Sequence, residues 1–80
     1  MVSKNMENEL IFIIEQVTGG VDAASLKEGK KLSESGVDSL DFANVLLMIE
    51  EKYEIKIPDE DMDELTTLSE IEGYIRKKLN

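Results

Sequence analysis

The chain has no cysteine, no histidine and no tryptophan, and a single proline among its 80 residues. Without cysteine there is neither a disulfide framework nor a thiolate metal site, and nothing argues for an oxidising compartment; the cytoplasm is the expected location. Without histidine the usual general base and the commonest metal ligand are also missing, so a self-contained enzyme is not expected and no metal site is assigned. Long apolar runs are lacking too. The stretch Leu10 to Ile14 is far short of a signal h-region or of the roughly 20 residues of a membrane span, so the chain is read as free of leader and span. No repeat, low-complexity tract or dividing linker is present. Residues 1–80 are therefore expected to form one small domain with a modest core.

What is abundant is acid. Eighteen Asp and Glu face nine Lys and Arg, a net charge of −9, which repels nucleic acid and anionic membrane. From Asp38 to Glu64 there are 10 acids and 2 bases, whereas the rest of the chain holds 8 and 7. Such asymmetry predicts an acidic surface that steers toward basic patches on partner proteins, at rates that fall with salt.

The apolar pattern is helical throughout, and no segment alternates as a strand does. A first helix is expected from Ser3 or Asn5 to Val17, burying Met6, Leu10, Ile13, Ile14 and Val17, and ending at Thr18-Gly19-Gly20. Val21 to Asp38 reads as a long loop pinned by Val21, Leu26, Leu32 and Val37, a length usually associated with function. A second helix runs from Asp38 or Ser39 to about Tyr53, with Phe42, Val45, Leu46, Ile49 and Tyr53 on one face. Pro58 suits the first turn of a short third helix through Met62 or Asp63. Thr67 and Glu70 form a capping box for a fourth, in which Leu68, Ile71, Tyr74, Ile75 and Leu79 pack inward and Arg76, Lys77 and Lys78 lie near the negative end. The predicted fold is all-α: a small bundle of three main helices plus one short helix, with a long loop between the first and second.

The stretch Gly36-Val37-Asp38-Ser39-Leu40-Asp41-Phe42 opens the second helix. Local chemistry makes it a helix start: Gly36 turns the chain, Asp38 or Ser39 caps, and Val37 acts as a staple. The same place also welcomes an anion, because unpaired N–H groups and the positive end of the helix dipole meet there, so a phosphodiester on Ser39 would be well placed. The helix beyond it is not cleanly amphipathic. With Phe42 at the centre of the buried face, Leu40 falls about 160° away and Leu47 about 140° away, among Asp41, Ala43, Asn44, Glu50 and Glu51. Two leucines ringed by charge resemble a docking strip.

Taken together, Gly36 to Asp41, the helix ending Ile49-Glu50-Glu51-Lys52-Tyr53, then Ile55-Lys56-Ile57-Pro58-Asp59-Glu60 and Thr66-Thr67-Leu68, resemble the acyl carrier proteins. The resemblance spans about Leu32 to Ile75. It implies that Ser39 receives 4′-phosphopantetheine from coenzyme A under a separate Mg²⁺-dependent phosphopantetheinyl transferase (a holo-acyl-carrier-protein synthase), and that Asp38 helps to engage that transferase. It implies that Leu40, Asp41, Ala43, Leu47, Glu50 and Glu51, extended by Asp59, Glu60 and Asp61, form the face read by acyl-transferring and acyl-elongating enzymes with basic docking patches. It implies that Phe42, Val45, Leu46, Ile49, Ile57, Leu65, Leu68 and Ile71 line the space that shelters an acyl chain. A chain without a thiol must import one to hold acyl groups as thioesters, and a flexible arm supplies it. The work implied is acyl carriage for fatty-acid or related lipid or secondary-metabolite biosynthesis, by a monomer with no catalysis of its own. Asn44 stands where many such carriers place an acid, and Phe42 is bulkier than the residue common there. The first 31 residues match loosely.

Rival readings are weaker on the residues. Asp59, Asp61, Asp63 and Glu70 occupy the spacing of a calcium loop, but Glu64 stands where that loop needs glycine and no second copy exists. Ser39 as a nucleophile lacks a base and an oxyanion hole. An unmodified acidic adaptor would use the Leu40 and Leu47 strip with Ser39 left free. A peptidyl or D-alanyl carrier shares the helices and the modified serine, although peptidyl carriers often show G-G-x-S where this chain has Val37-Asp38-Ser39.

Overall fold

A computed structural model describes residues 2–80, with side chains from Met6 onward. Five α-helices follow in order: α1 (Val2–Thr18), α2 (Ala23–Lys27), α3 (Ser39–Tyr53), α4 (Asp59–Met62) and α5 (Leu68–Leu79). The all-α bundle with three main helices is thus as expected. The first connection is more structured than a loop, holding both α2 and a 3-10 turn at Leu32–Glu34.

Helix α1 buries Met6, Leu10, Ile11, Ile13 and Ile14 and packs against α3 and α5. Its end is set locally. The Thr18 hydroxyl donates to Ile14 O at 2.8 Å, and Gly19, at φ 78, takes the left-handed C-terminal position where a side chain would be strained.

Helix α2 forms because Asp22 caps it. One carboxylate oxygen accepts from Ser25 N–H at 3.3 Å and the other from Ser25 Oγ at 2.8 Å, which also holds the Asp22 carboxyl below its usual range. Five residues show no helical periodicity to read, so this turn was expected as loop. Its Leu26, with Leu32 and Val37, is at most 3% exposed and pins the connection to the core as the spacing predicts. Leu32 N–H donates to Thr66 O at 2.9 Å, and Lys31 and Thr67 form an isolated antiparallel bridge, so the connection is tied to the start of α5.

Helix α3 sinks Val45, Leu46 and Ile49 into the centre of the molecule. Tyr53, half-buried at its last turn, donates its hydroxyl to Glu9 of α1 at 2.6 Å; burial first, and then this bond, raise the phenol's pKa. Helix α5 begins with the expected capping box: Glu70 N–H donates to Thr67 Oγ1 and Thr67 N–H to Glu70 Oε1, both at 3.2 Å. Leu68, Ile71 and Ile75 face inward. Leu79, expected to do the same, is 54% exposed, because it stands at the last residue of α5, a turn past Ile75, the last side chain of the helix to be buried.

Candidate functional site

Ser39 is the first residue of α3, and Asp38 is its N-cap. The Asp38 carboxylate accepts from Asp41 N–H at 2.8 Å, and Phe42 N–H donates to Asp38 O at 2.8 Å. The remaining first-turn N–H groups, those of Ser39 and Leu40, have no acceptor within the helix and point out of its end. Gly36, at φ 102, supplies the left-handed turn that brings the chain into this start. Val37 is 3% exposed and anchors the turn to the core, while Ser39 itself stands exposed. The hydroxyl is therefore presented at the positive end of a 15-residue helix whose far side is fixed by packing. That is a fit for an anionic group joined to the serine: an open approach, unpaired donors and a rigid base.

Beside Ser39 lies an open depression of about 470 Å³, bordered by Leu32, Val37, Phe42, Met62 and Leu65, with Asp38, Asp63, Thr66 and Lys31 at its polar rim. Of the residues expected to line an acyl space, Phe42 and Leu65 are here. Val45, Leu46, Ile49, Ile57, Leu68 and Ile71 are instead packed into the core at 0 to 4% exposure. Leu32, Val37 and Met62 complete the depression; they come from the first connection and from α4, and only folding brings them next to Phe42.

The outward strip of α3 stands as helix geometry predicts: Leu40 is 71% and Leu47 57% exposed, with Ala43, Asn44 and Glu51 also exposed and Asp41 half-buried. Glu50 is turned elsewhere. Its carboxylate accepts from Ile57 N–H at 2.7 Å, closing the connection between α3 and α4. Asp59 and Glu60 are exposed in the first turn of α4, where acids complement the helix dipole. Asp61 accepts from the Tyr74 hydroxyl at 2.7 Å; burial and this bond push the phenol of Tyr74 up to about 12.

Two further apolar side chains stand exposed outside the Leu40 and Leu47 strip. Phe12 is 60% and Met48 38% exposed, and they border a shallow groove between α1 and α3 with Ile13, Glu9, Glu51 and Lys52. Phe12 was legible, since helix geometry turns it about 160° from Leu10.

The calcium-loop spacing does not become a site. Glu70 Oε1 accepts from Thr66 N–H, Thr66 Oγ1 and Thr67 N–H, which holds its carboxyl below the usual range, the Thr66 hydroxyl being the largest cause. Asp61 is bound to Tyr74. Among the described residues, no group of three or more His, Cys, Asp or Glu is placed to hold a metal ion. Nor is any described helix long and apolar enough to cross a membrane.

Comparison with known proteins agrees with this geometry. A family model described as a phosphopantetheine attachment site matches residues 8–75. The chain is similar to the acyl carrier protein of Bdellovibrio bacteriovorus, 37% identical over 67 residues that span 82% of this chain and 83% of that one. It is 36% identical over 63 residues to the acyl carrier protein of Campylobacter jejuni, spanning 79% of this chain and 80% of that one. A mitochondrial acyl carrier protein of Dictyostelium discoideum is 38% identical over 71 residues, 81% of this chain and 59% of the relative. With a phosphopantetheine-attachment match that runs through the Ser39 turn and identities of this size over most of its length, the chain belongs to the acyl carrier protein family.

Proposed function

We propose that Ser39 is the attachment point of 4′-phosphopantetheine and that residues 1–80 act as one carrier domain, holding acyl groups as thioesters for fatty-acid or related lipid or secondary-metabolite biosynthesis. The observation that carries this reading is the exposed Ser39 hydroxyl at the open N-terminal end of α3. Attachment replaces the Oγ–H bond by an Oγ–P bond. The hydroxyl proton passes to the transferase, the pyrophosphate of coenzyme A is broken, and 3′,5′-adenosine diphosphate leaves. The bound arm supplies the thiol that this cysteine-free chain lacks.

The chain's own residues prepare that serine. Asp38 holds the first turn through Asp41 N–H and, exposed beside Ser39, offers an acid to the transferase and its metal. The N–H groups of Ser39 and Leu40 offset the phosphodiester charge. No catalysis is assigned to the chain, which has no histidine or cysteine.

The partner face comprises Leu40, Asp41, Ala43, Leu47 and Glu51 on α3, with Asp59, Glu60 and Asp61 on α4. Apolar side chains ringed by carboxylates suit transferases and acyl-processing enzymes that present basic patches around an apolar pocket. Glu50 supports this face by holding Ile57 rather than by facing the partner. The chain is read as a cytoplasmic monomer.

The test is intact mass after incubation with coenzyme A, Mg²⁺ and a phosphopantetheinyl transferase. One phosphopantetheinyl unit on the wild type and none on Ser39→Ala is the expected result. An unchanged wild-type mass with several transferases overturns it and leaves the Leu40 and Leu47 strip as the docking surface of an unmodified adaptor.

A further inference from the structure

We propose that the groove between α1 and α3, centred on Phe12, is a second docking surface, and that it takes a lysine- or arginine-bearing amphipathic helix of a partner protein whether or not Ser39 carries an arm. The chain has two Phe, two Tyr and no Trp. Phe42, Tyr53 and Tyr74 pack against the core cluster, whereas Phe12 is 60% exposed well inside α1. A lone exposed apolar residue is ordinary. Phe12 is not alone: Met48, across from it on α3, is 38% exposed, and the two border one groove over the buried Ile13. That groove continues the outward strip of α3. Met48 follows Leu47 and turns about 100° from it around the helix, and Glu51, part of the strip, also borders the groove. Yet the site is separate from the serine. Met48 comes nine residues after Ser39, about 13 Å further along the axis of α3.

Charge selects the occupant. Glu9 and Glu51 stand on opposite walls of the groove, and Glu15 is exposed three residues past Phe12, where it neighbours the ring on the helix surface. Lys52 is also at the rim, but its ammonium lies over the Tyr53 ring, 5.9 Å from the centroid. The groove is thus apolar at its centre and acidic at its margins, on a chain of net charge −9. A second copy would bring the same acids to the same place. It would also need roughly 800 Å² from each partner for a stable dimer, and even a fully buried aromatic side chain supplies only about 150–250 Å². An anionic membrane is repelled for the same reason. A groove this shallow leaves a small molecule largely in water, whereas ligand pockets bury about 70–90% of one. A partner helix meets each requirement. Its apolar side chains at 3–4 residue spacing seat against Phe12 and the adaptable thioether of Met48, and its basic side chains on either flank reach Glu9, Glu15 and Glu51.

The test titrates full-length ¹⁵N-labelled protein, with and without the arm on Ser39, with a synthetic amphipathic helix of about four turns bearing a leucine stripe flanked by lysines. Amide shifts should gather at Phe12, Ile13, Met48 and Lys52 and be the same in both forms of the protein. Binding should weaken as NaCl is raised, and a peptide with every lysine replaced by glutamate should not bind. Phe12→Ser should weaken binding about tenfold or more, and Leu40→Ser by less than about twofold. Phe12→Ser should also leave the urea midpoint and the rate of phosphopantetheinylation unchanged, because Phe12 is mostly in water and remote from Ser39. Met48→Ser repeats the test where the first variant does not fold. Shifts confined to Leu40, Ala43 and Leu47 overturn the proposal, as do equal binding of the glutamate peptide and a folded Phe12→Ser that binds like wild type. A wild-type dimer in sedimentation that Phe12→Ser dissolves overturns it by giving the groove to a second copy. Flotation with phosphatidylglycerol vesicles that Phe12→Ser abolishes overturns it by giving the groove to a membrane. Carriage on Ser39 stands or falls separately, since intact mass reads it without reference to Phe12.

Discussion

Leu46 and Leu47 are adjacent on α3 and point about 100° apart around its axis, one into the core and one outward, 1% and 57% exposed respectively. Truncating each to alanine separates the two tasks of the helix. Leu46→Ala empties a site in a core that cannot collapse freely and should cost about 2–5 kcal/mol. For 80 residues the whole stability is expected to be about 4–12 kcal/mol, from roughly 0.05–0.15 kcal/mol per residue, so this one change removes a large share of it. With a urea slope of about 1 kcal/mol per molar for so small a protein, the unfolding midpoint should fall by about 2 M or more. Leu47→Ala removes a side chain that is mostly in water, and the stability should hold to within about 0.5 kcal/mol. Its effect should appear with partners: a truncated docking residue costs more than about 1 kcal/mol, or a loss of about fivefold or more in kcat/KM for the transferase. Urea unfolding followed by circular dichroism and steady-state phosphopantetheinylation measure the two quantities on the same preparations. If Leu47→Ala were the variant that unfolds, or if Leu46→Ala folded normally and failed with the transferase, the helix would be rotated about its axis from the arrangement described and the partner face would be wrongly assigned.

Three further outcomes are expected. Gly36→Ala should cost about 1 kcal/mol in urea unfolding: a Cβ there meets nothing within 4 Å, so the penalty is that of the φ of +102 alone. The Glu72 carboxyl is raised by burial and by Glu7, and its Oε2 has no hydrogen-bond partner among the described residues, with Arg76 3.9 Å away. A raised carboxyl favours the fold below its unfolded value and loses that contribution as pH rises through the folded one. Glu72→Gln should therefore raise the melting temperature at neutral pH, and the gain should vanish in acid; an equal gain at all pH would refute the burial cause. Tyr74→Phe deletes the 2.7 Å bond to Asp61, costs about 1 kcal/mol and should speed amide exchange in α4 with little change in α3.

The start of α3 and the capping box of α5 were legible because each rests on residues a few positions apart: Asp38 with Asp41, Thr67 with Glu70. The exposed Leu40 and Leu47 followed from helix geometry alone. The depression beside Ser39 was not legible in the same way. The periodicity that marks Val45, Ile49, Leu68 and Ile71 as inward-facing is equally the signature of a filled core, and nothing in a spacing distinguishes a side chain that lines a space from one that fills it. The true borders of the depression, Leu32, Val37 and Met62, are brought to Phe42 by the bond from Leu32 to Thr66 and by the placement of α4. These are contacts between segments distant in the chain. Glu50 was misplaced on the outward face for a related reason: its partner is the backbone N–H of Ile57, seven residues on, across a turn whose path the pattern does not specify. Helix α2 hid in an Asp-x-x-Ser pair too short to show a period.

Helix α4 buries none of its residues. It is held by the half-buried Met62 against the core, by Glu50 on the segment leading into it and by Tyr74 on its last turn, whereas α3 is rooted by the fully buried Val45, Leu46 and Ile49. The serine thus stands on a fixed post, and the opposite bank of the hollow rests on one half-buried side chain, Met62, and two latches. Lineages of this chain could retune the capacity of that hollow by altering Met62 or either latch, with the geometry offered to the transferase left undisturbed.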